Sequence, residues 1–305
     1  MPRLSVVIPA YNAAAFLEET IRSVLQSTCR DYEVIVIDDG STDSTAALAH
    51  SMGPRVRVIS QPNSGMSASR NRGIAATDSE FIALLDNDDV WHPQKAEYQL
   101  AAFDAHPDHA FCYTDFEVWH GDAADAFHTA PRTGALDPAQ SGWIYHRLII
   151  SNWALPSSVM FRRTAFRELG PMLCADHQTD DWEYLVRASW NYRFLKLAEP
   201  MVLYRQHASS LSRKLASRNV GELMRESLIS RFGLSSPDGT PVNEAELARG
   251  RYQGWSTFAD AHCARGDLKT GLGVFARLLR TGPHRAESAK RVVRSLGRRV
   301  FPKRP

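Results

Sequence analysis

Through the first hundred residues, short unbroken apolar runs alternate with stretches in which apolar positions recur every three or four residues. Leu4-Ser5-Val6-Val7-Ile8-Pro9 is an apolar run closed by proline, and Glu33-Val34-Ile35-Val36-Ile37-Asp38 is a second, β-branched through its middle. Val56-Arg57-Val58-Ile59 and Phe81-Ile82-Ala83-Leu84-Leu85 follow. Runs of this length bounded by turn residues predict strands, and the continuous ones predict strands buried on both faces of a parallel sheet. Between them, Phe16, Leu17, Ile21, Val24 and Leu25 fall at helical spacing, with Asn12 placed to cap the helix. After the Gly40 turn, Ser41, Thr42 or Asp43 caps a helix expected to reach about Ser51, and Gly65 to Ala76 predicts another. Strand and helix in alternation predict βαβ units and an α/β fold: a Rossmann-like, mainly parallel sheet flanked by helices.

The pattern loosens after residue 110. Ala110-Phe111-Cys112-Tyr113, Ser157-Ser158-Val159-Met160-Phe161 and Pro200-Met201-Val202-Leu203-Tyr204 read as strands, and Trp182 to Trp190 reads as a helix. From about Lys214 the chain predicts helices only. Leu247–Arg265, a Gly266-Asp267 turn and Leu268–Arg280 form a helical hairpin that is similar to one tetratricopeptide unit, with no second copy to make a solenoid. The last segment puts Ala289, Val292, Val293, Leu296 and Val300 on one side and crowds Lys290, Arg291, Arg294, Arg298 and Arg299 on the rest.

Composition narrows the class. A chain of 305 residues with 44% hydrophobic and 23% charged residues is an ordinary globular protein with room for a large core. Cys29, Cys112, Cys174 and Cys263 lie far apart without zinc spacing, and plain buried thiols in a reducing compartment are expected. No apolar stretch is long enough to span a bilayer, and Leu4 to Phe16, broken by Pro9 and Asn12, does not read as a signal peptide. The expected location is therefore cytoplasmic. The net charge of +2 conceals a division: residues 1–200 carry 16 Lys and Arg against 26 Asp and Glu, and residues 201–305 carry 20 against 8. An acidic body suits a bound cation and a basic tail suits an anionic partner; an internal dipole with no partner is the alternative.

In open α/β sheets ligands bind beyond the carboxyl ends of the strands. The residues there are Tyr11-Asn12, Asp38-Asp39 and Asp86-Asn87-Asp88-Asp89, so three separate segments bring carboxylates and an aromatic ring to one edge. Two carboxylates one residue apart after a buried strand suit a hard divalent ion that bridges phosphates. An isolated Asp-x-Asp is more often a solvated turn; the company of the other two acidic edges changes that balance, because clustered carboxylates repel unless a cation or donors intervene. A phosphate loop rich in Gly and Lys after the first strand, as a nucleotidyltransferase would want, is replaced by Ala10-Tyr11-Asn12-Ala13, and the Gly-x-Gly-x-x-Gly of a dinucleotide dehydrogenase is missing.

These segments resemble the family 2 glycosyltransferases of the GT-A fold. The resemblance rests on Val6-Val7-Ile8-Pro9-Ala10-Tyr11-Asn12, Val36-Ile37-Asp38-Asp39-Gly40-Ser41-Thr42-Asp43-Ser44-Thr45, Asn63-Ser64-Gly65-Met66-Ser67-Ala68-Ser69-Arg70-Asn71-Arg72-Gly73 and Leu84-Leu85-Asp86-Asn87-Asp88-Asp89, in family order and spacing. It covers the first third of the chain and continues more weakly through Thr179-Asp180-Asp181-Trp182-Glu183 and Tyr204-Arg205-Gln206-His207. It implies a nucleotide-sugar-binding half over residues 1–110, an acceptor-binding half over 111–214 and an α-helical C-terminal extension over 215–305. It assigns donor binding to Pro9, Tyr11, Asp39, Asn63, Arg70, Asn71, Asp86 and Asn87. Tyr11 would lie against the nucleobase, Asp39 would hydrogen-bond it, and Asp86 would reach the ribose or a metal-bound water; Asp38 would support the turn. Arg70 and Asn71 would sit near the pyrophosphate, Arg70 having a pairing with an acidic turn as its alternative.

The metal, Mg²⁺ or Mn²⁺, falls to Asp88, with His207 as a further ligand or a phosphate donor; the segment Ser209-Ser210-Leu211-Ser212 after it would close over the phosphates. The catalytic base falls to Asp181 with Asp180 in support, where the family usually has Glu-Asp; that departure leaves the division of labour between the two open. Two acidic residues favouring a helix N-terminus are the plainer reading. Asn152, Trp153 and Ser157 fall where the acceptor cleft is expected, although most tryptophans belong to cores. The implied activity is inverting transfer of a sugar from a nucleoside-diphosphate sugar, with uridine favoured, to a saccharide or lipid-linked acceptor in bacterial cell-surface polysaccharide or glycolipid synthesis. A catalytically silent nucleotide-sugar-binding or scaffold protein of the same fold is the alternative. The basic tail either lies on an anionic membrane surface, making the protein peripheral on the inner face, or packs its apolar stripe on the hairpin. No nucleic-acid partner is expected, since the tail lacks stacking aromatics.

Overall fold

The computed structural model describes residues 1–121, 124–174, 179–207, 215–281 and 285–300. Eight strands form one mixed sheet: β1 (Leu4–Ala10), β2 (Tyr32–Asp38), β3 (Val56–Ser60), β4 (Phe81–Leu84), β5 (Val90–Trp91), β6 (Phe111–Trp119), β7 (Met160–Arg162) and β8 (Phe194–Arg205). Their order is β3-β2-β1-β4-β7-β6-β8-β5. The first four strands are parallel, as their continuous apolar runs require, and every residue of β1 is buried. β7 enters antiparallel to both β4 and β6, and β5 is antiparallel to β8.

Twelve helices are present: α1 (Leu17–Leu25), α2 (Thr45–Ser51), α3 (Met66–Ala75), α4 (Lys95–Ala105), α5 (Asp125–Thr129), α6 (Tyr145–Leu148), α7 (Arg163–Leu169), α8 (Asp180–Asn191), α9 (Val220–Phe232), α10 (Glu244–Ala264), α11 (Leu268–Thr281) and α12 (Arg285–Val300) among the described residues. They cover the sheet in two apolar clusters. One gathers Leu4, Val6 and Ile8 of β1 with Leu17, Ile21 and Phe103; the other gathers Val7, Ile82 and Phe161 with Tyr184, Leu185 and Val186 of α8. The alternation of β1 side chains between the two clusters is the period-two geometry of a strand covered on both faces. Leu228 of α9 and Leu247 of α10 belong to the second cluster, so that core continues past residue 215. α10 and α11 form the expected hairpin around a small core of Ala259, Cys263 and Phe275. No helix among the described residues is long and apolar enough to cross a membrane.

Local expectations differ from the structure in three places. Asn12 does not cap α1, which starts at Leu17; it takes a left-handed φ of 47°, and its Oδ1 accepts from the Thr42 amide at 2.8 Å, fastening the β1 turn to the β2 turn. Ser157 and Ser158 lie in a 3-10 turn, and the strand begins only at Met160, because Pro156 sets a helical φ at the first turn. The run at Ala110–Tyr113 extends to Trp119, held by the long parallel pairing with β8. The segment Ser209-Ser210-Leu211-Ser212, and the tail side chains from Val293 onward, lie outside the described residues.

Candidate active site

The turns after β1, β2 and β4 meet at the carboxyl edge of the sheet. Tyr11 presents a ring that is 49% exposed, large for an aromatic this close to the core. Asp38 is buried, and its Oδ1 accepts from the Ser41 amide at 3.1 Å, so it holds the turn. Asp39, also buried, accepts from Gln61 Nε2 at 2.7 Å and from the Ser64 and Gly65 amides at 2.8 Å each. Those bonds bring the 61–65 loop, including exposed Asn63, across the end of β2 and leave one lone pair of Oδ2 free. Gly40 makes the crossing possible: its φ is +76°, and a Cβ there would stand 2.9 Å from the Asn63 amide nitrogen.

The acidic turn after β4 is held from several sides. Asn87 Nδ2 donates to the Pro9 carbonyl at 2.8 Å, joining the ends of β4 and β1. Ser157 Oγ accepts from the Asp86 amide at 3.0 Å and donates to Asp89 Oδ2 at 2.5 Å. Ser157 therefore lies beneath the acidic turn. Asp89, read from sequence as a spare carboxylate, is fully buried, and its Oδ1 accepts from the Arg205 amide at 3.0 Å. Burial, then the charges of Asp86 and Asp88, push its carboxyl well above the usual range.

The antiparallel pairing of β5 with β8, Val90 opposite Leu203, sets Asp88 beside Arg205 and His207. Arg205 Nε donates to the Asp88 carbonyl at 2.7 Å, and a second nitrogen pairs with Glu19 at 2.5 Å. Its guanidinium carbon lies 4.0 Å from the ring centre of Trp119 and 4.8 Å from that of Phe16. His207 Nε2 meets Asp88 Oδ2 at 2.8 Å, and its ring packs on Phe16 at 4.5 Å. Burial and the charge of Asp86 raise the Asp88 carboxyl, against the pull of His207. Among the described residues no three His, Cys, Asp or Glu side chains form a ready cation cage; Asp88 and His207 are a pair, beside Asp86.

Arg70, on α3, is buried and pairs with Asp86 Oδ1 at 2.5 Å, while its Nε has no partner. Burial alone would lower its pKa, yet the charges of Asp86, Asp181 and Asp180 together raise it. The structure thus places Arg70 between the acidic turn and the start of α8, the pairing alternative of the sequence reading. Asn71 turns both amide atoms to the Met172 backbone, donating at 2.8 Å and accepting at 2.9 Å, and so pins the chain that leads toward α8. Ser67 Oγ donates to Asp180 Oδ2 at 3.2 Å, joining the first turns of α3 and α8. Asp180 is buried; Asp181 is half-buried, and its Oδ1 accepts from the Trp182 amide at 2.7 Å. The Asp181 carboxyl is raised, mainly by burial, with Arg70 opposing and Asp86 adding to the effect. Asn152 is exposed; Trp153 packs 5.3 Å from Tyr113 with the Arg147 guanidinium 5.4 Å from its ring, which ties it to the core side of the acceptor segment.

The sequence reading passed over Arg205, which is buried, although it stands in the same segment as His207. Its signal was a cation two residues before a candidate ligand; its role depends on the β5–β8 register, which no local pattern states.

Fold and site together define an α/β protein with an acidic centre, built from the carboxylates of the turns after β2 and β4, at the carboxyl edge of its sheet. Residues 5–147 match the family model "Glycosyl transferase family 2". Through that region the chain belongs to the family 2 glycosyltransferases, and its fold is GT-A. A Bacillus subtilis protein named as a teichuronic acid biosynthesis glycosyltransferase, TuaG, is 33% identical over 144 residues, which are 45% of this chain and 57% of that one. The chain spans 11% to 57% of the length of the curated relatives it matches. Among solved structures, S. aureus TarS 1–349 in complex with UDP-GlcNAc superposes with a TM-score of 0.63 at 16% identity, over 94% of this chain and 83% of that one. A mannosyltransferase from Pyrobaculum calidifontis in complex with GDP-Man and Mn²⁺ gives a TM-score of 0.54 at 17% identity, over 99% and 88%.

Proposed function

We propose that this protein is a metal-dependent inverting glycosyltransferase that moves a sugar from a nucleoside-diphosphate sugar, UDP-linked by preference, to an acceptor hydroxyl in cell-surface polysaccharide or glycolipid synthesis. The observation that carries the reading is the convergence of Asp88 and His207, at 2.8 Å, with the Asp86–Arg70 pair and the two carboxylates that open α8. Complexes of the structural neighbours with UDP-GlcNAc, or with GDP-Man and Mn²⁺, support a nucleotide sugar and a divalent ion, and the relative named for teichuronic acid supports the polysaccharide.

The Asp88 carboxylate, with Asp86 near, would hold Mg²⁺ or Mn²⁺, and the His207 imidazole would suit Mn²⁺ rather than Mg²⁺, which prefers oxygen; phosphate oxygens and water would supply the remaining ligands. Burial, and after it the charge of Asp86, raises the Asp88 carboxyl, and a bound cation would relieve both. When bound, such an ion neutralises charge on the departing diphosphate. The chain's own residues do the rest. Tyr11 offers its exposed ring to the base, and Asp39 offers its remaining lone pair. Arg70 pairs with Asp86 and opposes the effect of burial on the Asp181 carboxyl. Asp181 accepts the proton of the attacking hydroxyl, with Asp180 holding the helix start against Ser67. A single in-line displacement inverts the anomeric centre. Asn152 and Trp153 flank the acceptor path. We assign the protein to the cytoplasm, peripheral on the inner membrane face, through the basic helix α12 and its exposed Lys290.

A thermal-shift panel of UDP, GDP and their sugars, with and without Mn²⁺, tests the reading. UDP with Mn²⁺ is expected to raise the Tm, and Asp88→Ala to remove the Mn²⁺ dependence. Stabilisation by GDP alone would reassign the donor, and no response to any nucleotide refutes the proposal.

A further inference from the structure

Among the described residues, the helices after residue 215 contribute no side chain to the site above, yet one of them reaches its back wall. At the end of a helix as short as α6, the carbonyls of Leu148, Ile149 and Ile150 must find partners outside the helix. Trp182 Nε1 donates to the Leu148 carbonyl at 2.9 Å. Arg225, on α9, donates from Nε to Ile149 at 2.9 Å and from a terminal nitrogen to Ile150 at 3.0 Å. Its other terminal nitrogen pairs with Glu222, and both residues are buried. The guanidinium carbon lies 5.0 Å from the Trp182 ring centre. α10 closes the arrangement from behind: a Cβ on Gly250 would stand 2.6 Å from the Ile150 oxygen, so no other residue lets the helix come so near.

Trp182 directly follows Asp181, and its amide is bonded to the Asp181 carboxylate. The chain leaving Ile150 carries Asn152 and Trp153. One buried side chain therefore joins the start of α8 to the start of the acceptor segment. Only a guanidinium has the planar fork to serve two carbonyls and a carboxylate at once; a lysine ammonium on a flexible stem reaches one or two of them loosely.

We propose that Arg225 is a positioning residue for transfer: it sets the separation between Asp181 and the 151–155 segment, and α9 thereby belongs to the acceptor half. The inference rests on Asp181 being the base. A displacement of about one ångström between reacting groups costs roughly 10²-fold in rate, while the Tyr11–Asp39–Asp88 side stands apart from α9 and should not respond.

The test uses the full chain and the variants Arg225→Met and Arg225→Lys. UDP affinity in Mn²⁺ is measured by titration; hydrolysis of UDP-Glc, UDP-GlcNAc, UDP-GlcA and GDP-Man, in which water takes the sugar and the nucleoside diphosphate is released, by coupled assay; and amide hydrogen exchange by mass spectrometry. Arg225→Met is expected to keep UDP affinity within about twofold, to speed exchange in 148–155 and 179–183 but not in 36–45, and to slow nucleotide release about 10–100-fold. Arg225→Lys should fall between it and the wild type, and decides alone if Arg225→Met does not fold. Wild-type release by a folded variant, unchanged exchange in both segments, or a loss of UDP affinity equal to the loss of rate each overturns the inference alone. No release by the wild type from any of the four donors overturns the parent reading, and this one with it.

Discussion

Lys95 heads α4 beneath the acidic turn, and its side chain is wholly buried. Its Nζ donates to Gln99 Oε1 at 2.7 Å and lies 3.8 Å from the centre of the Trp91 ring; among the described residues it pairs with no carboxylate. Gln99 in turn donates to the carbonyls of Cys112 and Ser158, so the ammonium sits at the root of the network that supports Ser157. Burial lowers its pKa from 10.5 to about 7. The unfolded chain, with the ordinary value, holds its proton more tightly, so stability rises with pH across that interval and the full cost of the buried charge is present below pH 7. At about 1.4 kcal/mol per pH unit, that cost approaches 5 kcal/mol. Replacing Lys95 with Met removes it but loses the bond to Gln99, about 1–3 kcal/mol, and the cation–π contact, about 2 kcal/mol. Lys95→Met should therefore match or exceed the wild type at pH 6, and the wild type should gain about 3 kcal/mol on the variant by pH 9.5. Urea unfolding of both proteins at pH 6, 7.5 and 9.5 measures the difference. Neighbouring groups titrate alike in both, so a difference that stays flat with pH would show that the ammonium is not confined in an apolar site and would refute the reasoning.

Three further outcomes follow from the site. Asp181→Asn should lower kcat by about 10²–10⁴ while leaving the UDP-induced Tm shift unchanged, and a near-normal rate would remove Asp181 as the base. Because burial raises the Asp181 carboxyl, the wild-type rate should fall, as pH drops, at a value above the ordinary carboxylate range; the kcat–pH profile reads this. Gly40→Ala forces a side chain into a left-handed φ and against the Asn63 amide, at a cost of about 1–3 kcal/mol. It should lower the Tm and weaken UDP binding together, since the loop held by Asp39 must shift; a variant that binds UDP normally would detach that loop from the nucleotide site.

Much of the first hundred residues was legible because there structure is local. An apolar run of six residues flanked by turns is a buried strand wherever it occurs, and β1, β2, β3 and β4 fall where the pattern puts them. The acidic segments could be assigned to one rim before any coordinates, since parallel strands joined by helices all present their carboxyl ends to the same side. β5 was missed because two residues carry no periodicity, and the turn at Ser157 because a proline, rather than the apolar pattern, decides its backbone.

The chain's own order of residues determined the α/β class, the alternation of strand and helix, and the identity of Tyr11, Asp39, Asp88 and Asp181 as candidates. Tertiary structure alone decided which carboxylates are shared with donors and which remain available. Asp89 is spent on Ser157 and Arg205, Asp39 is shared with the 61–65 loop but keeps one lone pair, and Asp88 meets His207 across 119 residues of sequence; the Asn71 amide is likewise spent on Met172. The physical reason is range. Backbone propensity and hydrophobic period act over a few residues, whereas the state of a carboxylate depends on every donor and charge within a few ångströms, however far away in the chain.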